Sequence, residues 1–333
     1  METVRNRRVG VEAAGIVLGL ALVVGLMLVA FGLPAVNGGP HDVPIGVVAP
    51  PAGATAVEQA LDRAAPGGFA PRRYGDERAL RAAIADRDVY GGLVLGSGGV
   101  TVLTASAASP AIAQGLGSLG TALAGRSGST ATTVDVRPLP ADDARGAGLA
   151  AVGLPLVLGG ILPALVLTRR FPGRPWMRVG AALAFALVEG ALVASVLTWW
   201  FGSVDANFAP VALGLAFGMA AVSLTVLGLE ALLGVAGFGL GAATFVLVGN
   251  PLSGLASGPE FLPSGWSTLG QLLPPGAGAT LLRGNAYFDG AGTATALAVL
   301  TGWVTVALLL NAVAAWRTRA EPPAPVPADA LPV

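Results

Sequence analysis

The chain contains no cysteine and no lysine, and its single histidine is His41. Without cysteine there is no disulfide, no thiolate nucleophile and no sulfur-ligated metal site. One histidine leaves almost nothing for a histidine metal cluster or a Ser-His-Asp relay. All 19 basic residues are Arg, and a Walker A loop needs its Lys on the nucleotide phosphates, so ATP hydrolysis by that route is excluded for this chain. Charge is scarce as well. Only 11% of the 333 residues are charged, against roughly 25% in soluble domains, while 54% are hydrophobic. That deficit predicts a membrane protein. A formal net charge of +0 gives no bulk attraction to nucleic acid, and no nucleic-acid partner and no cofactor are expected.

What the chain does have is long apolar runs. About 20 apolar residues cross the hydrocarbon core of a bilayer, and six runs qualify, at 11–33, 148–168, 179–201, 209–228, 231–249 and 293–316. The first, "VEAAGIVLGLALVVGLMLVAFGL", has a rival reading as a signal peptide cleaved near "LPAVNGG". Its apolar core exceeds the about 7–15 residues of a signal h-region, so an uncleaved span is expected. The fourth and fifth runs are separated by little more than Leu229-Glu230, the weakest boundary. Glu230 at that turn and Glu12 at the inner end of the first span are read as solvated or snorkelling, with Glu12 at helical spacing from Arg8.

Between 37 and 145 the composition changes and no window could span. "VPIGVVAP" reads as a strand, "ATAVEQALDRAA" as an amphipathic helix, "GFAPRRYG" as a second strand and "DERALRAAIADRD" as a helix with a polar face. "YGGLVLGSGGVTVLTAS" reads as a hairpin turning at Gly98-Gly99, "SPAIAQGLGSLGTALAG" as a helix and "TTVDVRPLP" as a closing strand. Strands alternating with helices predict a small α/β domain. The fold class expected is therefore an α-helical polytopic membrane protein, with six transmembrane helices and an extracellular α/β domain inserted between helices 1 and 2.

Orientation follows the Arg residues. Arg5, Arg7 and Arg8 precede the first span, Arg169, Arg170, Arg174 and Arg178 lie in the short link between spans two and three, and Arg317 and Arg319 follow span six. Placing these segments in the cytoplasm gives a multi-pass plasma-membrane protein with both termini inside. Residues 1–10 form a cytoplasmic N-terminus, and the α/β domain and a Pro/Gly-rich segment, 250–292, lie outside. The tail 317–333, with "EPPAPVPADALPV", reads as disordered and cytoplasmic.

A first span, an outside α/β domain, five further spans and a Pro/Gly-rich outside segment before the last of them resemble actinobacterial permeases of the type-2 ATP-binding-cassette (ABC) exporter superfamily. The layout also resembles the related phage-infection-protein-like membrane proteins. The residues that carry the resemblance are "NPLSG", "LPSGWSTLGQLLPPGAG" and "LLRGNAYFDG", with "ALRAAIADRDVYGGLVL" and "LTASAASP" in the outside domain. The resemblance implies a permease subunit that exports an amphipathic, lipid-like, peptide or drug substrate, powered by a separate cytoplasmic ABC ATPase and paired with a second permease as a homo- or heterodimer. It also implies that the link between spans two and three, "TRRFPGRPWMR", touches that ATPase through Arg169, Arg170, Phe171, Arg174 and Trp176. The alternative for that link is a topology anchor of Arg and Trp at the headgroups of the lipid bilayer. The N-terminus departs from the pattern: many relatives begin with an amphipathic interfacial helix, and "METVRNRRVG" is too short for one. A non-transporting envelope protein whose extracellular domain binds a partner is the competing function, and a membrane-embedded enzyme is disfavoured by the missing Cys and His.

Inside the spans the ionisable residue that stands out is Glu189, in "LAFALVEGALVASVL". A carboxylate at the bilayer centre costs on the order of 3 kcal/mol on insertion scales, so it is expected to face the bundle interior or a water-filled cavity. It lines a transport path, or it is a protonated Glu hydrogen-bonded to a neighbouring helix. "GLGSLG" (Gly115–Gly120) matches G-x-G-x-x-G but sits in a helical, Ala/Gly-rich context rather than between strand and helix. "GLAFG" and "GFGLG" have the small-xxx-small spacing of close helix contacts. Asp142-Asp143 and Asp86-Arg87-Asp88 read as solvated surface. The segment from Gly249 to Gly290 is too apolar for water and too broken for a spanning helix. Its Pro251, Pro259, Pro263, Pro274 and Pro275 allow short helices at the outer interface or dipping partway in. Asn250, Pro251, Trp266, Pro274, Pro275 and Tyr287 are its candidate gate residues. Trp266, Tyr287 and Phe288 are expected at the headgroups, and "SGWSTLGQLL" as a short helix capped by Ser264 and ended by the Pro pair.

Overall fold

The computed structural model describes residues 2–96 and 98–320, and of 2–11, 35 and 318–320 it describes the backbone alone. The expected disordered tail, from 321 onward, lies outside the described residues, as do the side chains of Arg5, Arg7, Arg8 and Arg319. Helix α1 (Glu2–Val36) leads to strand β1 (Val43–Val48), α2 (Pro51–Ala64), β2 (Phe69–Arg73), α3 (Glu77–Ala85), the hairpin of β3 (Gly91–Gly96) and β4 (Gly99–Thr104), α4 (Pro110–Ser127) and β5 (Ala131–Asp135). A helical region follows: α5 (Ala147–Ala151), α6 (Gly153–Arg170), α7 (Pro175–Ser195), α8 (Phe208–Leu233), α9 (Val235–Ala243), α10 (Trp266–Gln271), α11 (Pro274–Tyr287) and α12 (Ala294–Ala320). Most of the described chain is helical, with five helices long and apolar enough to cross a membrane and one small sheet.

The sheet has the order β2-β1-β3-β4-β5, antiparallel within the β3–β4 hairpin and parallel elsewhere. Its strands alternate. Val43, Ile45 and Val47 point with Leu93, Val100 and Val102 to one face, which α2 and α4 cover with Val57, Leu61, Ile112 and Leu116. Burying each such side chain stabilises by about 1.5–3 kcal/mol. The other face carries α3 through Leu80 and Ile84, and the same cluster contains Phe288 from the end of α11. The sheet therefore rests on the helical region through its second face. Helix α3 starts where the Asp76 carboxylate accepts from Ala79 N–H (2.8 Å), and α4 starts at Ser109 and stops at Gly128 in the left-handed region (φ 64). Gly115–Gly120 lies inside α4, with no strand feeding it, so the dinucleotide fingerprint lacks its geometry.

The five long apolar helices cover Glu12–Pro34, Ala147–Arg170, Pro175–Trp200, Phe208–Leu233 and Ala294–Arg317. Helix α8 is apolar on every side and is the bundle's centre, buried along most of its length. Its Gly214 and Gly218 face Leu281 and Gly278 of α11 and Leu156 of α6, while Gly237 and Gly241 of α9 lie on Leu229 and Val226 of α8. Both small-residue motifs thus serve contacts within the chain. The expected break at Leu229-Glu230 falls later, at Gly234 (φ 65), because Glu230 stays in the helix with a buried partner described below. The fifth apolar run is a short helix, Val235–Gly249, whose last turn, Thr244–Gly249, is π-helical. At 1.5 Å per residue this is about 22 Å, less than a hydrocarbon core of about 30 Å.

Helix α11 answers the problem of the broken segment. Gly278 touches Gly218, ten residues inside α8, and the Asn285 side-chain amide donates to Pro210 O (2.8 Å) near the start of α8. Gly278 therefore lies about 15 Å down the side of α8, and from there the helix climbs back to the end at which α8 starts. Helix α10 leads to that depth: Trp303, nine residues into α12, donates its indole N–H to Leu272 O (2.8 Å) at the turn between α10 and α11. The pair is a half-depth hairpin wedged among full-length helices. The expectation for Pro274 and Pro275 is corrected: they open α11 rather than ending α10. Two prolines at the first helical positions remove two N–H groups that would be left unpaired in an apolar interior. Ser264 does not cap α10, which starts one residue past it on Gly265 (φ 82), with no side-chain cap.

Candidate functional site

Among the described residues the buried charged side chains lie at two ends of the bundle. At the sheet end, the α10–α11 hairpin is held by hydrogen bonds that cross from one unit to the other. Arg283 of α11 is buried and donates through Nη1 to Ala107 O and Ala108 O (both 3.0 Å), and through Nη2 to Leu255 O. Arg87, just past α3, donates to Thr280 O (3.3 Å) and lies over the Phe288 ring at 5.3 Å. The Tyr90 hydroxyl donates to a Glu260 carboxylate oxygen, and Ser109 Oγ to Ser257 O (2.8 Å). Tyr287 donates to Ser203 O (2.9 Å), and Ser203 Oγ to Asp143 (2.7 Å), which also accepts the Ala147 and Gly148 N–H groups at 2.8 Å and so caps α5.

The electrostatics follow from this burial. Desolvation lowers the pKa of both Arg87 and Arg283, and Glu260 and Tyr90 oppose the fall. Burial and the neighbouring Glu260 push the Tyr90 phenol well above its ordinary value, keeping it neutral and a donor. Burial likewise raises Tyr287. For Asp143 burial would raise the pKa, but the bonds from Ser203, Gly148 and Ala147 win, and it lies below the usual carboxylate range. The solvated reading is therefore corrected for Asp143, which is buried, and for Arg87, which is half-buried; Asp142 is exposed.

Beside this junction a cleft of about 630 Å³ opens between the end of α1 (Phe31, Pro34), the start of α6 (Leu154) and the residues after α9. Its walls are mostly apolar, and Asn250, Ser253 and Ser257 supply the polar groups. The candidate gate residues fall in three places. Asn250 and Pro251 line the cleft, Pro274 and Pro275 begin α11 with Pro275 against Gly249, and Tyr287 sits on Ser203 at the other end of that helix. Trp266 is exposed at the start of α10, whereas Phe288 is 1% exposed, which corrects its expected headgroup position.

At the opposite end, buried Arg178 and half-buried Glu230 form an ion pair (2.8 Å). Arg178 also donates to Phe171 O (2.8 Å) and Thr168 O (3.3 Å), and Thr168 Oγ1 donates to Glu230 (3.3 Å). Glu230 is thus not solvated, and Arg178 is not a surface anchor. The pair fixes the α6–α7 link, on which Arg169, Arg170, Arg174 and Trp176 are exposed and Arg170 lies 5.7 Å over the Phe171 ring. Glu189 is half-buried at the edge of α7, between buried Ala186 and Gly190 and exposed Val188. Among the described residues it has no hydrogen-bond or ion-pair partner, so it neither faces the bundle interior squarely nor bonds to a neighbouring helix.

Reading the sequence alone misses Arg87, Tyr90, Glu260 and Arg283, which come together from three separate stretches. The signal that was there is the single Arg in an otherwise uncharged α11. Among the described residues no three His, Cys, Asp or Glu side chains converge in a way that could hold a metal ion. No family model, no curated protein and no solved structure matches the chain.

Proposed function

We propose that this chain is the membrane-spanning permease subunit of an ABC-type exporter, moving an amphipathic, lipid-like, peptide or drug substrate with the help of a separate cytoplasmic ATPase. The observation that carries the reading is the half-depth α10–α11 hairpin beside an apolar cleft with a few amide and hydroxyl groups. Non-spanning helices at membrane depth are retained where they line a cavity or are covered by protein, and mostly apolar walls with sparse polar groups suit an amphipathic ligand. In this reading the short helix Val235–Gly249 is the fifth of six crossings, both termini lie in the cytoplasm, the sheet lies outside, and two permease subunits meet as a dimer. The exposed Arg169, Arg170, Arg174 and Trp176, mounted on the rigid Arg178–Glu230 pair, form the ATPase contact.

The test is an efflux assay in vesicles with a fluorescent amphipathic dye, together with co-purification of the ATPase. Ala151→Trp fills the cleft from an exposed wall position and is expected to cut efflux about tenfold, the effect of roughly 1.4 kcal/mol on transport, with insertion unchanged. Arg169→Ala with Arg170→Ala is expected to weaken ATPase association. Efflux equal to wild type in Ala151→Trp, or Arg changes that alter only insertion orientation, would favour a non-transporting envelope protein instead.

A further inference from the structure

Arg87 occupies a backbone position that Arg seldom takes. It is the second residue past α3, after the C-cap Asp86, with φ 64, in the left-handed region where a residue with a Cβ costs about 1–2 kcal/mol and Gly is usual. Its side chain crosses Gly284 and Gly292: a Cβ on the first would lie 3.1 Å from its Nη1, and on the second 3.2 Å from its own Cβ. Such strain persists where the side chain is needed. Yet the guanidinium makes one hydrogen bond, to Thr280 O, besides its contact with the Phe288 ring. Among the described residues no carboxylate lies within 4.0 Å of Arg87 or Arg283. Glu260 acts on both from farther away, and one of its oxygens is taken by Tyr90. Two guanidinium groups, Arg283 buried and Arg87 half-buried, and one carboxylate leave a positive charge in excess at the junction, which is costly unless compensated.

Arg87 lines a cavity of about 270 Å³ with Tyr90, Glu260, Gln271, Thr280 and Thr295. The Gln271 amide is already engaged, accepting from Thr280 Oγ1 (2.6 Å) and donating to Ser253 O (3.2 Å). The donors left for the cavity are those of the Arg87 guanidinium, the second N–H of the Gln271 amide and the Thr295 hydroxyl at its exposed rim. A planar guanidinium with free N–H groups matches an oxyanion in a two-bond grip. We propose that this cavity is a binding site for a phosphate-type oxyanion, either free in solution or in a lipid headgroup, held by Arg87 and balancing the excess charge of the junction.

The test measures the unfolding midpoint of the full-length protein in two settings. In nonionic detergent, inorganic phosphate is compared with chloride at equal ionic strength. In nanodiscs, phosphatidylcholine alone is compared with phosphatidylcholine plus phosphatidylglycerol. A gain of about 2–4 °C is expected for the wild type in at least one setting. Response to phosphate identifies a free ligand, and response to phosphatidylglycerol alone identifies the headgroup. Arg87→Gly should abolish the gain while still folding, because Gly relieves the left-handed backbone; Arg87→Gln should abolish it too. Glu260→Gln, which removes the one opposing charge, should bind at least about threefold more tightly. No gain in either setting, or the same gain in both Arg87 variants, overturns the proposal.

Discussion

Arg178 and Glu230 stand 52 positions apart, and nothing in the spacing of either predicts the other. Each was legible as a charge near the inner end of a span, where water and headgroups are the default partners. That they find each other instead follows from α7 and α8 lying side by side. Breaking such a pair strands a buried charge, so Glu230→Ala is expected to cost about 3–5 kcal/mol in urea or heat unfolding, whereas Arg178→Met combined with Glu230→Leu should come much closer to wild type. Tyr90 offers a pH test. Its phenol is held neutral in the folded chain, so the stability it contributes is complete below its ordinary pKa of about 10 and is lost as pH rises beyond that. The unfolding midpoint should fall more steeply above pH 10 in wild type than in Tyr90→Phe. Asp143 acts at the other end of the scale. Its carboxyl is held below the ordinary value of 3.8, so its contribution is full above that value and disappears as acid titrates the folded group. Asp143→Ala should cost about 1–2 kcal/mol near neutral pH and nothing at strongly acid pH.

At the level of elements, local pattern and local structure agree wherever the pattern is local. The alternation of "VPIGVVAP" coincides with β1, and the Gly98-Gly99 turn with the β3–β4 hairpin, because strand faces and turns are set by neighbours in sequence. The Gly249–Gly290 segment is different. Its prolines announce breaks but not which side of each break is helix, and Pro274-Pro275 belongs to the helix that follows. The choice is made by packing. A Cβ on Gly276 would meet Gly270 O at 2.1 Å, so the two arms of the hairpin close on bare backbone, and one on Gly270 would meet Leu252 O at 1.9 Å, so α10 lies as closely on the residues that precede it. Gly276→Ala is therefore expected to destabilise by at least about 2 kcal/mol and to splay the hairpin, read as new protease sensitivity near Leu272. Glu189 teaches the converse. Its place in the middle of an apolar run was plain, but which side of α7 it takes depends on where α8 lies, and it ends at the edge of that contact.

For the whole molecule, the arrangement of α8 at the centre, with the sheet seated on Arg283, Arg87 and Phe288 at one end and the α6–α7 link at the other, makes topology the decisive measurement. A tag in the α6–α7 link should share a compartment with both chain ends, and a tag in α4 should not. The five long apolar helices were readable because lipid demands long apolar runs. The contacts joining sheet to bundle were not, since they unite Tyr90 with Glu260 across 170 positions of chain. One consequence concerns the lipid itself. If Val235–Gly249 is the fifth crossing, as proposed, it is about 8 Å shorter than a hydrocarbon layer of about 30 Å. Acyl chains next to it must shorten or tilt to meet its ends. The surrounding leaflets should dimple on that flank, and the protein should be more heat-resistant in membranes of fourteen-carbon than of twenty-two-carbon chains.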